Sequence, residues 1–143
     1  MKARRAEPRD LDAVCAIEGS HSTTAHWTRH QLAEELSASQ SVFLVCERED
    51  AVAGFVIARR YPPRLEILDI AVAAQRQGVG RFLIQTLTAE AASGGCDTLS
   101  LEVSSHNPGG QAFYDALGFR VVGRRPRFYP DGGDAVLMDL AVK

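Results

Sequence analysis

Hydrophobic positions recur along the chain with two periods, and the switching between them predicts the order of the elements. Residues 2–6 are short enough for an edge strand. Behind them Leu11, Val14, Cys15 and Ile17 recur at helical spacing, with Asp10 placed to cap that helix. Thr28 and Gln31 carry the signature of a capping box and open a second, short helix whose apolar face is Leu32 and Leu36. Three strands then arrive together: residues 42–46, 52–59 and 65–72, with turns at Glu49-Asp50 and at Pro62-Pro63. Their nearly continuous apolar content predicts central places in a sheet.

The strongest helix signal runs from Gly78 to about Ala92. Val79, Phe82, Leu83, Thr86, Leu87 and Ala91 share one face, and Gly94-Gly95 stops it. A strand at 98–103 follows. Asn107-Pro108-Gly109-Gly110 is read as a loop, because two glycines disfavour helix by roughly 1 kcal/mol each. That loop opens a helix from Gln111 to Leu117, which Gly118 ends, and strands at 119–122 and 134–142 close the chain. The order βααβββαβαββ predicts an α/β fold with one mixed sheet rather than a doubly wound one.

Composition narrows the class. A chain of 143 residues fits one domain, spanning 1–143, and should bury roughly two-thirds of its unfolded surface without a metal or disulfide. With 45% hydrophobic and 24% charged residues it is not a disordered chain. No apolar run approaches the ~20 residues of a membrane span, and the start lacks the apolar core of a signal peptide, so a soluble cytoplasmic protein is expected. The net charge of −2 gives no global attraction for nucleic acid. Two arginine clusters, Arg59/Arg60/Arg64 and Arg124/Arg125/Arg127, suit solvated strand ends or a docking surface. Cys15, Cys46 and Cys96 are widely spaced among apolar neighbours and read as buried thiols. His26 and His30 have i,i+4 spacing, but a cap at Thr28 separates them, so no metal site is expected.

Two segments carry chemistry. Gln75-Arg76-Gln77-Gly78-Val79-Gly80-Arg81 lies between a buried strand and the long helix. Glycines there let a ligand approach the backbone, and free amides at a helix start attract anions, which Arg76 and Arg81 reinforce. Position 83 is leucine, which excludes the dinucleotide fingerprint, and no Gly-Lys-Ser/Thr follows, which excludes a P-loop. The second segment is Leu101-Glu102-Val103 with Asn107 and then Phe113-Tyr114 through Leu117-Gly118-Phe119. Glu102 is ionisable on an otherwise apolar strand, near the end where ligands collect in α/β sheets. Tyr114 sits just off the helix face that holds Phe113, Ala116 and Leu117. The spacing alone fits equally well an edge-exposed glutamate with a packing tyrosine, or two groups facing one cleft.

Ile70-Ala71-Val72, the segment 75–80, Leu101-Glu102-Val103, Asn107 and the Phe113–Phe119 stretch together resemble the GNAT N-acetyltransferase superfamily. Within it the chain is most similar to the bacterial ribosomal-protein-alanine N-acetyltransferases of the RimI type. The closing stretch Arg124 to Pro130, with Asp134 to Met138, resembles that subfamily too, as does an early tryptophan, Trp27. The resemblance implies a central, mostly antiparallel sheet with a splayed parallel pair and flanking helices. It implies acetyl-CoA as cosubstrate, with no metal, and the N-terminal amine of a protein or peptide as acceptor, in the RimI case a ribosomal protein.

It further implies residue roles. Ile70, Ala71 and Val72 would bond the pantetheine arm through their backbone. Arg76, Gln77, Gly78, Val79, Gly80 and Arg81 would hold the pyrophosphate, and Asn107 would touch the cofactor beyond the splay. Glu102 would be the general base and Tyr114 the general acid, with Trp27, Glu66 and Tyr129 near the acceptor. Glu66 also stands where the histone-acetylating branch carries its catalytic glutamate. Acetylation of a small-molecule amine or a lysine, and acetyl-CoA sensing without turnover, are the competing functions.

Overall fold

The computed structural model describes residues 1–20 and 27–142. The elements are β1 (Lys2–Arg5), α1 (Leu11–Gly19), α2 (Arg29–Ser37), β2 (Ser41–Arg48), β3 (Ala51–Tyr61), β4 (Arg64–Val72), α3 (Val79–Ser93), β5 (Thr98–Ser104), α4 (Pro108–Ala116), β6 (Arg120–Arg125) and β7 (Ala135–Ala141). Seven strands form one sheet in the order β1-β2-β3-β4-β5-β7-β6. Every neighbouring pair is antiparallel except β4 and β5. This is the mixed sheet that the pattern predicts.

The sheet is covered on both faces. Against one lies α3, whose Val79, Leu83, Leu87 and Ala91 pack with Val42, Leu44, Val56, Leu65, Leu99 and Leu101. Against the other lie α1 and α2, where Leu11, Val14, Ile17 and Leu32 meet Phe43, Val45, Phe55 and Ile57. Strand alternation feeds these two clusters in turn, so β2 and β3 are buried on both sides.

Close approach of α3 requires a glycine beneath it. A Cβ on Gly54 of β3 would lie 2.7 Å from Val79 Cγ1 and 3.0 Å from the backbone oxygen of Ala71. Gly54→Ala is therefore expected to destabilise the fold by about 1–3 kcal/mol. Val79→Ala in the same chain should recover part of that loss, because it removes the closer contact. A Gly54→Ala denaturation midpoint equal to wild type would show that α3 shifts freely.

Several local expectations need correcting. Asp10 does not cap α1 through its side chain. Its carboxylate instead accepts from Arg4 Nη1 and Nη2, both at 2.8 Å, and from the Glu7 amide at 2.7 Å. The Arg4 pair holds Asp10 below the usual carboxylate range. The Thr28/Gln31 capping box forms as read, with Gln31 N to Thr28 Oγ1 at 3.1 Å and Thr28 N to Gln31 Oε1 at 2.8 Å. The last helix starts at Pro108 rather than Gln111, because Asn107 caps it: Asn107 Oδ1 accepts from Gly110 N at 2.9 Å. A Cβ on Gly110 would meet the Asn107 amide at 2.5 Å, so this glycine admits the cap. Strand β6 begins one residue later than predicted and continues through Arg124 and Arg125.

The first arginine cluster is tied into the fold. Arg59 pairs with buried Glu35, Arg60 with Glu90 at 3.2 Å, and Arg64 with Asp139 at 2.9 Å. Cys46 and Cys96 are buried, whereas Cys15 is half-buried. His26 lies outside the described residues, and His30 is exposed beside Glu34.

Candidate active site

The two parallel strands part company after three paired positions, Arg64 with Thr98, Leu65 with Leu99 and Glu66 with Ser100. Beyond Glu66 the facing edges diverge, and a cavity of about 1120 Å³ opens between them. It is lined by Glu66, Ile70, Ala71, Val72, Arg76, Gln77, Gly78, Val79, Gly80, Arg81, Glu102, Asn107, Tyr114 and Tyr129. Residues far apart in sequence thus share one wall. Trp27 is the exception: it borders a second cavity with Cys15, Glu18 and Arg29.

One end of the main cavity is an anion cradle. Gly78 adopts φ 76°, a conformation that favours glycine, and turns the chain into α3. The first helical hydrogen bond of α3 is Phe82 N to Gly78 O, so the amides of Val79, Gly80 and Arg81 precede the ladder. Arg76, with φ 62°, and Arg81 are exposed and have no ion-pair partner among the described residues. Positive charge and free donors converge there, which fits a diphosphate. Gly80 has a second cause: a Cβ would lie 3.1 Å from Phe113 Cζ, so it lets α4 pack against the start of α3.

Glu102 and Tyr114 line this cavity from opposite faces of the sheet. Leu101 and Val103 belong to the α3-side cluster, so alternation turns Glu102 to the other face. Glu66 takes that same face between Leu65 and Ile67. Glu102 is part-exposed, with Arg125 Nη2 at 3.5 Å. Tyr114 approaches from the α3 side, its ring edge-on between Phe113 at 5.1 Å and Phe119 at 5.5 Å. Burial, and then the Asp69 carboxylate, hold its phenol well above the ordinary tyrosine range.

The outer rim is a braced loop between β6 and β7. Tyr129 N donates to Gly133 O at 3.0 Å, Arg127 N donates to Asp134 Oδ1 at 3.0 Å, and Asp134 N donates to Ser105 Oγ at 2.8 Å. His106 Nδ1 lies 3.2 Å from Asp131 Oδ2 and ties this loop to the α4 entry. Burial and the Glu102 carboxylate push the Tyr129 phenol up. Asn107, which lines the cavity, spends its carbonyl oxygen on the cap, so its remaining hydrogen-bonding group is the amide donor beside Gly110.

One further pair of acidic residues meets only in the fold. Glu18, 3% exposed on α1, and Asp69 on β4 are neighbouring carboxyl groups, each with one buried oxygen that finds no hydrogen-bond partner among the described residues, and burial first and Glu18 second push the Asp69 carboxyl up. A bulge makes this possible. Ile57 pairs with Asp69 but Ala58 pairs with Ile67, so Leu68 is an extra residue and Asp69 turns toward α1 instead of α3. The available signal was Glu18 itself, which occupies a core position at i+7 from Leu11 and i+4 from Val14.

Comparison with known proteins places this geometry. The profile of the acetyltransferase (GNAT) family matches residues 9–119. The ribosomal protein bS18-alanine N-acetyltransferase of Escherichia coli (strain K12) is 38% identical over 141 residues, covering 95% of this chain and 94% of that one. An uncharacterized protein of Mycobacterium leprae (strain TN) is 33% identical over 139 residues, 92% of this chain, which spans only 38% of that relative's length. Among solved structures, the ribosomal-protein-alanine N-acetyltransferase from Escherichia coli superposes with a TM-score of 0.88 at 30% identity, covering 99% and 94% of the two chains. A match over most of the residues, a shared fold and a parallel pair splayed beside a glycine- and arginine-rich helix start lead to one assignment: the chain belongs to the acetyltransferase (GNAT) family.

Proposed function

We propose that the protein transfers the acetyl group of acetyl-CoA to the α-amine at a protein N-terminus, with Glu102 as general base and Tyr114 as general acid. The observation that carries this reading is that Glu102, Tyr114 and the arginine- and glycine-rich turn before α3 line one cavity at the splay. Acetyl-CoA supplies an acetyl thioester for the amine to attack. Arg76 and the amides of residues 79–81 bind its diphosphate, and Ile70 and Ala71 offer their backbone to its arm. Glu102, aided by a water, takes the proton that the amine must lose. Tyr114 gives its proton to the departing sulfur.

The acceptor class follows from proton affinity. An α-amine with a pKa of about 7.7–8.0 is substantially unprotonated near neutrality, whereas a lysine at ~10.4 is not. A single carboxylate base suits the former. The Escherichia coli relative named for alanine acetylation of bS18 points to a small first residue and a ribosomal acceptor.

Mass spectrometry of acceptors incubated with acetyl-CoA tests the reading. Peptides with free N-terminal Ala, Ser, Gly or Met, N-blocked lysine peptides and polyamines form the panel. Acetylation of the Ala peptide is expected. Modification of lysines or polyamines alone would overturn the acceptor class. Binding of acetyl-CoA, seen as a raised melting temperature, with no acceptor modified would favour a sensor.

A further inference from the structure

Asp69 and Glu18 have no task in the reading above, yet they set two acidic groups side by side at the wall of the main cavity. Glu18 is 3% exposed; its Oε1 has no hydrogen-bond partner among the described residues, and its other oxygen accepts from Trp27 N at 3.1 Å. Asp69, its neighbour on β4, lines the cavity and keeps a buried Oδ2 that is likewise unpartnered. The arginines around the pair are engaged elsewhere, Arg29 with Asp12 at 2.6 Å and Arg125 with Glu102 at 3.5 Å. Burying two carboxyl groups together is costly, and no positive charge among the described residues offsets it. The backbone is also bent to put Asp69 there: the extra residue Leu68 turns it off the α3-side face and onto the face that holds Glu66 and Glu102.

We propose that Asp69, backed by Glu18, is a subsite for a cationic side chain, lysine or arginine, at the second position of the acceptor polypeptide. The proposal rests on the reading of this cavity as the acceptor site for a protein N-terminus, and it adds a preference beyond the first residue. Asp69 is the group that touches the acceptor; Glu18 acts through it as the second charge.

The charges of the cavity are sorted by element. Its arginines, Arg76 and Arg81, stand on the turn before α3, whereas its carboxyl groups, Glu66, Asp69, Glu102 and Asp131, stand on β4, β5 and the β6–β7 loop. An acceptor that enters beside the second group meets negative charge. Glu102 already has Arg125 beside it, and Asp131 has His106 at 3.2 Å. Asp69 has no such partner, and a second carboxyl lies directly behind it. A cation seated on Asp69 therefore meets two acidic groups where water screens them little. Two adjacent buried carboxylates do not both ionise on their own, so the empty pair keeps a proton. A lysine or arginine lets both carry charge, and the proton leaves to solvent. A small first residue has no side chain long enough to reach past the reacting amine, so the second residue supplies the first one that does.

A scan of the second position tests this. Ala-first peptides that differ only in carrying Lys, Arg, norleucine or Glu at position two are compared by kcat/KM, and by calorimetric binding to the CoA-saturated protein. Wild type should favour Lys and Arg over norleucine by about 10-fold or more, with Glu poorest. Asp69→Asn and Glu18→Gln should each cut the Lys-to-norleucine ratio to about threefold or less, whereas Glu66→Gln and Asp131→Asn should keep it. A variant whose site is merely damaged loses both peptides alike, so a retained ratio in Asp69→Asn would overturn the subsite. Equal use of Lys and norleucine by wild type would overturn it too, and would leave the acetyltransferase reading intact. So would a preference that vanishes in Glu66→Gln or Asp131→Asn instead, since the cation would then sit elsewhere. If Asp69→Asn does not fold, the ratio in Glu18→Gln decides. Should no Ala-first peptide be acetylated, the acceptor reading itself fails, and equal binding of the Lys and norleucine peptides would remove the subsite with it.

Discussion

Glu102→Gln should lower kcat by about 10²- to 10⁴-fold while leaving the KM for acetyl-CoA nearly unchanged. The amide has the shape of the carboxylate but cannot accept the proton that the acceptor amine gives up. The proposed cofactor cradle at Arg76–Arg81 leads into α3, whereas Glu102 stands on β5, so donor binding should persist. Glu102 is part-exposed, and Arg125, its ion-pair partner among the described residues, is itself exposed at the rim. Stability should therefore change by no more than about 0.5 kcal/mol, which urea unfolding would verify. Steady-state kinetics of Glu66→Gln alongside would separate the two carboxylates on this face. A Glu102→Gln enzyme within threefold of wild type, beside a crippled Glu66→Gln, would move the base role to Glu66.

Much of this arrangement is legible in the linear pattern, and the parts that are not share a cause. The order of the elements follows from periodicity, and the Thr28/Gln31 box follows from two residues three apart. Such signals are local. The insertion of β7 between β5 and β6 is not, since it depends on pairing between segments with a long loop between them. Asp10 reads as a helix cap until Arg4, brought beside it by β1, takes its carboxylate. Gly109-Gly110 reads as a late helix start because propensity is local, whereas Asn107 overrides it with one capping bond.

The site divides in the same way. Glycine and arginine before α3, and a glutamate on an apolar strand, announce themselves by residue type. The splay that brings Glu102 and Tyr114 into one cavity is set by where β4 and β5 stop pairing, which no window of residues contains. The Leu68 bulge is hidden for a further reason. A period of two read straight through 65–72 puts Asp69 on the α3 side with Ile67, and only the β3 register reveals the slip. Trp27, which the resemblance sets near the acceptor, borders the second cavity and gives its backbone amide to Glu18.

Asp69→Asn should make the protein more stable than wild type at pH 9, and the advantage should vanish toward pH 4. Burial, and then the neighbouring Glu18 carboxyl, push the Asp69 carboxyl up to about 8 in the fold, against an ordinary 3.8 when the chain is unfolded. Between those values the folded state binds more protons than the unfolded one. Stability contributed by the proton is thus fully present below about pH 4 and is lost as pH rises through about 8. The loss proceeds at no more than about 1.4 kcal/mol per pH unit for this single site and levels off above it. Asp10, Asp131 and Asp134 act oppositely, since Arg4, the Gly133 amide and the Arg127 amide respectively depress them. Their contribution is present above the unfolded carboxylate range and disappears on acidification, so wild-type stability should peak in mildly acidic solution. The asparagine variant removes only the alkaline decline and leaves the acid limb intact. Urea midpoints at a series of pH values check this directly: a variant less stable than wild type at pH 9, or one that keeps the alkaline decline, would place the proton elsewhere than on Asp69.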